Sequence, residues 1–215
     1  MLRFRTACFV VLVILVAAAN TQAVTIFSAS LSTSQEPSPP WVPPTTTTGA
    51  PRATPFGSAS FVLNDAQTAL SFTATIFNID VTGTQTADPN DNLVAAHIHA
   101  AGASGTPTFP VVWGFFGSPF NNTSPNDEAD TPFATGVGGT FTGTWNLNEG
   151  NNTTLAAQLQ NILAGRSYIN FHTMQNSGGE IRGAIFVASE PQSIGLLGVG
   201  LLVVGLVCRR KFRGR

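Results

Sequence analysis

Between Val24 and Ala188 the sequence contains no cysteine and no lysine. The chain's two cysteines, Cys8 and Cys208, lie outside that stretch. Disulfides, a thiolate nucleophile and a thiolate metal site are therefore excluded from it. Its 165 residues must be stable from their own core, which is feasible because a domain of ~150 residues buries about two-thirds of its unfolded surface. Positive charge is equally scarce. Arg52, Arg166 and Arg182 stand against ten acids, a formal charge of −7 that the overall −1 conceals. A domain without a basic stripe has no footprint for nucleic acid, so DNA and RNA are excluded as partners. The Gly-x-Ser-x-Gly elbow is also missing. Ala101-Gly102-Ala103-Ser104-Gly105 only approaches it, and no helix follows. No residue is assigned a catalytic role, and the chain reads as a non-enzyme.

Long apolar runs are confined to the two ends. At the start, Arg3 and Arg5 precede the apolar stretch Ala7 to Ala19, and small residues follow. This is the pattern of a secretory signal peptide over residues 1–23, with cleavage after Ala23 or after Ala19. Cys8 lies too early to be a lipoprotein acceptor. At the other end an apolar run from Ile194 to Val207 is stopped by Arg209-Arg210-Lys211 and two further arginines. That pattern predicts a membrane helix over 194–208 with its basic tail in the cytoplasm. Fourteen residues span about 21 Å as a helix against a hydrocarbon core of ~30 Å, so crossing requires thinning or snorkelling. The segment 189–215 resembles the PEP-CTERM sorting signal of exopolysaccharide-producing Gram-negative bacteria. Ser189-Glu190-Pro191 stands where that signal has Pro-Glu-Pro. The resemblance implies recognition and removal by an exosortase-type processing enzyme; a plain tail anchor is the alternative. Either way the protein is expected to be exported and held at the membrane or cell surface.

The middle is strand-like almost throughout. Val24–Leu31, Gly57–Leu63, Ala69–Ile79, Leu93–Ala100, Val111–Phe116, Gly138–Leu147, Ser167–Thr173 and Ile181–Val187 are rich in Val, Ile, Phe and Thr. Gly, Pro, Asn and Asp clusters separate them. One helix is expected where Leu155, Leu159, Ile162 and Leu163 share a face, capped by Asn152 or Thr153 and stopped at Gly165. About eight strands at these spacings predict an all-β fold, an antiparallel Greek-key-like β-sandwich with one short helix, over residues 24–188. Pro37 to Pro55 and Gly117 to Thr135 read as extended, polar and mobile loops. Asp127, Glu128 and Asp130 lie in the second without the spacing of a calcium loop. Trp41, Trp113 and Trp145 read as core, and an exposed strip from Trp113 to Phe116 would offer a carbohydrate platform.

All three histidines fall in strands. His97 and His99 share one face of their strand, and Tyr168, Asn170 and His172 share a face of theirs. Glu180 and Arg182 share a face of the last strand, and burial of its aliphatics turns them toward His172. Two readings follow. His97, His99, His172 and Glu180 can supply ligands to copper or zinc. Alternatively Glu180, Arg182 and Asn170 form a structural cluster that orients the histidines by hydrogen bonds. No cofactor is firmly implied. A superoxide-dismutase chemistry is disfavoured, because three imidazoles are too few for a bridged pair of metals.

Four stretches also carry a resemblance to the CHRD domain, the module named from chordin and common in bacterial exported proteins. They are Phe27–Pro37, Gly57–Ile79, Ala95–Val112 with its His-x-His, and Leu163–Ala184 with Phe-His-Thr and Gly-Gly-Glu-Ile-Arg-Gly. The chain departs from the family after Glu36, over Asp80–Asp91 and after Phe116. The resemblance implies a secreted β-sandwich without established catalytic chemistry, a binding or structural module whose partner would be a polysaccharide or protein at the cell surface.

Overall fold

The computed structural model describes residues 24–37, 41–101 and 108–188. The signal peptide and the sorting segment expected at the two ends lie outside the described residues. Among those described, no helix is long and apolar enough to cross a membrane.

The described residues form ten strands: β1 Thr25–Ser32, β2 Phe56–Leu63, β3 Ala69–Phe77, β4 Leu93–Ala100, β5 Val111–Gly117, β6 Ala129–Pro132, β7 Gly138–Asn146, β8 Ser167–Thr173, β9 Ile181–Ala184 and β10 Phe186–Val187. The helix α1 covers Leu155–Leu163. Strict alternation in β2 and β3 sends Ala59, Phe61, Leu70, Phe72, Ala74 and Ile76 inward and Ser, Thr and Phe outward. This is the period that a half-buried pleated strand requires.

Two separate sheets were expected; the strands instead make one continuous antiparallel sheet. Its order is β5-β4-β8-β9-β1-β2-β3-β7-β6, with β10 also on β1. The joint is β9, which pairs with β8 over Tyr168↔Ala184 to Phe171↔Ile181 and touches β1 at Ser32↔Arg182. The sheet curls so that its halves share one core. Phe72 of β3 meets Trp113 and Phe115 of β5, with ring centroids 5.7 and 4.6 Å apart. Phe141 of β7 meets Phe115 and Phe171 at 6.2 and 5.5 Å. Trp113 and Trp145 stack at 5.7 Å. Each such ring contributes burial together with an aromatic-pair increment of about 0.5–1.5 kcal/mol.

Several expectations are corrected. Trp113 and Phe115 are buried, so the strip to Phe116 is core and offers no exposed platform, whereas Trp41 is only half-buried. The cap of α1 is Thr154, whose hydroxyl accepts from Ala157 N at 3.2 Å, rather than Asn152 or Thr153. Asn152 instead sits at φ +54° in the turn before it. The last strand is interrupted at Ile185, which still bonds Ser167 O of β8 at 2.9 Å, before Phe186–Val187 pairs with β1. The loop after Gly117 contains β6, because Ala129–Pro132 finds the free edge of β7. Within Pro37 to Pro55, the described part is tied down. Val42 N donates to Asn176 Oδ1 at 2.9 Å and Thr45 N to Gln175 Oε1 at 3.0 Å.

Candidate metal centre

The histidines lie on the convex side of β4 and β8, opposite the core-facing Ala96, Ile98, Ile169 and Phe171. Register sets them side by side: His97↔Asn170, His99↔Tyr168 and Ala95↔His172 are cross-strand partners. A convex face would ordinarily be wet, yet the three side chains are at most 7% exposed. Loops after β5 and β8 fold back over them, and Phe109 closes in from just before β5. One of these returns is possible only because residue 114 is glycine. A Cβ there would lie 1.8 Å from Pro119 O and 3.0 Å from the His97 ring.

Each imidazole is held by a backbone carbonyl. His97 Nε2 lies 3.1 Å from Ser118 O, His99 Nδ1 lies 2.8 Å from Phe109 O, and His172 Nδ1 lies 3.0 Å from Ser177 O. A carbonyl can only accept, so each of those ring nitrogens carries the proton. The other nitrogen of each neutral ring is then a lone pair: His97 Nδ1, His99 Nε2 and His172 Nε2. These are not scattered. One nitrogen from each ring lies within 4.8 Å of the others. His97 Nδ1 and His172 Nε2 are 3.2 Å apart, and His99 Nε2 is buried without a hydrogen-bond partner.

Protonating one ring would turn the 3.2 Å contact into a hydrogen bond, but the surroundings oppose it. Burial, then the neighbouring His172 and His99, push His97 down to about 3. Burial pushes His99 down to about 4, against the Phe109 carbonyl, and burial also lowers His172. At neutral pH three uncharged rings thus point lone pairs at one place. Leaving His99 Nε2 unsatisfied costs about 1–3 kcal/mol.

Around the rings, Tyr168 stacks on His99 at 4.6 Å and 12°. Its hydroxyl accepts from Phe109 N at 3.3 Å, the residue whose carbonyl holds His99. The Arg182 guanidinium lies over the other part of this layer, 4.7 Å from the Tyr168 ring centre. Glu36 reaches in from the end of β1. Burial pushes its carboxyl up to about 7, against the attraction of Arg182.

Glu180 does not join the histidines as a ligand of this group. Its carboxylate is saturated elsewhere: Oε1 accepts from Arg52 at 2.9 Å, and Oε2 accepts from Thr173 and from Asn176, each at 2.7 Å. The pairing of Glu180 with Arg182 expected from strand alternation is likewise replaced. Arg52 takes Glu180, while Arg182 Nε donates to Gln35 O and stands 4.0 Å from Glu36. The partner comes from the Pro/Thr-rich segment, 128 residues away in sequence, which alternation within one hairpin does not register. Asn170 is buried in the layer, and Gly179 leaves room for it: a Cβ there would lie 2.6 Å from both Asn170 Nδ2 and Glu36 Oε1. Ser118, Phe109 and Ser177 act through main-chain carbonyls, so no side-chain motif announces them.

The CHRD domain family matches residues 27–185. The chain belongs to that family. Among curated proteins and among solved structures, nothing matches the chain at a significant level.

The Arg52–Glu180 pair has side chains 8% and 0% exposed, so removing one partner strands a buried charge. Glu180→Ala is expected to cost about 3–5 kcal/mol in urea unfolding followed by tryptophan fluorescence. An unchanged midpoint would show that the pair does not hold the β8–β9 hairpin.

Proposed function

We propose that this CHRD domain is a non-catalytic, exported module that binds a copper or zinc ion through His97, His99 and His172. The observation that carries this reading is the 3.2 Å approach of His97 Nδ1 to His172 Nε2 with both protons committed to carbonyls. Two lone pairs so placed repel unless a cation lies between them and attracts both. Ligands 2.0–2.1 Å from a tetrahedral ion are separated by roughly 3.3–3.4 Å, close to what is seen. Metal-bound histidines characteristically donate their second nitrogen to a carbonyl or carboxylate, and here all three donate to carbonyls. Imidazole donors without thiolate suit copper(II) and zinc(II).

In this reading the chain's own residues divide the work plainly. Ser118, Phe109 and Ser177 orient the rings and, with the described residues beside them, cover the rings from bulk water, and Tyr168 packs against His99. A bound ion would supply Lewis acidity and fixed positive charge. Nothing among the described residues forms a nucleophile–base pair beside it, which is why the proposal is a binding module.

The full chain in detergent, stripped with chelator and dialysed, should take up one zinc or copper ion, measured by elemental analysis and calorimetry. His97→Ala or His172→Ala should weaken binding by at least 100-fold, and Glu180→Gln should leave it unchanged. Because burial holds His97 near 3 and His99 near 4, the folded rings stay unprotonated well below the usual histidine range. Metal should therefore be retained at pH 5.5, where exposed histidines have released it. Histidine variants that bind as wild type does would refute the site.

Export and anchoring rest on the sequence of the two ends, with an exosortase-type enzyme as the processing partner implied by the tail. A reporter fused after Arg215 should be active in the cytoplasm, and one fused after Ala188 should be active outside it. The reverse pattern would overturn the orientation.

A further inference from the structure

On the convex side of the other half of the sheet, two cross-strand rows carry no charged side chain. One cross-strand row runs Ser30, Ser58, Thr75, Thr140 and Thr131 through consecutive register pairs. The next row runs Ser28, Ser60, Thr73 and Thr142. Adjacent hydroxyls bond laterally: Thr75 to Thr140 at 3.3 Å, and Ser71 to Thr144 at 3.2 Å. Strand spacing and the two-residue repeat make this a grid of about 4.8 by 6.7 Å. A solvent-facing sheet ordinarily mixes Lys, Glu and Arg into such positions for solubility, and this acidic domain does so nowhere on these rows.

At one end the grid meets the cross-strand pair Ile26 and Val62, 49% and 43% exposed, and at the other it meets aromatics. Phe56 and Phe77 are cross-strand partners, stacked at 4.7 Å and 11°, and they are 50% and 36% exposed. Phe133 extends the row, 5.1 Å from Phe77. Large apolar side chains left in water at the margins of a hydroxyl field mark a contact surface.

We infer that this face, formed by β1, β2, β3, β7 and β6, is a docking surface for a neutral polysaccharide. Sugar rings present C–H faces that pack on aromatic rings, and hydroxyls that both donate and accept. Ser and Thr hydroxyls match the second property because each also donates and accepts, and Phe56, Phe77 and Phe133 match the first. A charged polymer would find no counter-charge on these rows. A protein partner would be expected to need a larger apolar or arginine-bearing centre, whereas the centre here is hydroxyl. The inference is independent of the metal site, which lies on the other half of the sheet.

The test is depletion of the full chain, in detergent, from solution by insoluble cellulose and by insoluble β-1,3-glucan. At least one polymer should retain it, equally in low salt and in 1 M NaCl, because no ion pairs are involved. Phe56→Ala with Phe77→Ala should reduce retention at least tenfold. Thr73→Lys, at an exposed site that leaves the core untouched, should do the same with an unchanged melting temperature. Retention by neither polymer, retention abolished by salt, or equal retention of the Thr73→Lys variant would overturn the proposal. So would concentration-dependent self-association that the same variants abolish, since the face would then serve a second copy.

Discussion

Three backbone carbonyls decide what this molecule's histidines can do. A neutral imidazole has one proton and one lone pair, and whichever nitrogen meets a carbonyl must keep the proton. Ser118, Phe109 and Ser177 each claim one ring in this way. Burial removes the other escape, which would be to take up a second proton. The lone pairs are then forced together on the convex side of β4 and β8. Register supplies the nearness, since His97, His99 and His172 arise from neighbouring strands, and the segments that carry Phe109, Ser118 and Ser177 contribute to the desolvation.

Such a cluster is costly to keep without a cation. A buried acceptor is unsatisfied at His99 Nε2, and like-signed lone pairs meet at 3.2 Å between His97 and His172. Folding supports this only because the surrounding layer is well determined. Tyr168 braces His99, Arg182 covers Tyr168, and Glu180 is fixed by Arg52, Thr173 and Asn176.

Much of this was legible in the residues. Period-two alternation located most strands, and it put His97 with His99 and His172 with Tyr168 and Asn170 on shared faces. Apolar spacing located α1. The sandwich expected from strand count became one curled sheet because a single strand, β9, bridges both halves. What stayed hidden depended on segments outside the long strands. The Pro/Thr-rich stretch delivers Arg52 to Glu180, and the chain after Phe116 delivers Ser118 O to His97. Contacts made by a main-chain carbonyl, or between segments more than a hundred residues apart, leave no periodicity to read. Alternation alone therefore paired Glu180 with Arg182 and counted Glu180 as a ligand, both of which the structure corrects.

Which nitrogen of each ring carries its proton decides whether the three lone pairs converge, and long-range ¹H–¹⁵N correlation of the histidine side chains reads that directly. In the metal-free full chain at neutral pH, His97 should show the Nε2–H tautomer, and His99 and His172 should show Nδ1–H. Any ring in the opposite tautomer, or an imidazolium at His97 or His172, would contradict the convergence of three lone pairs and with it the metal centre.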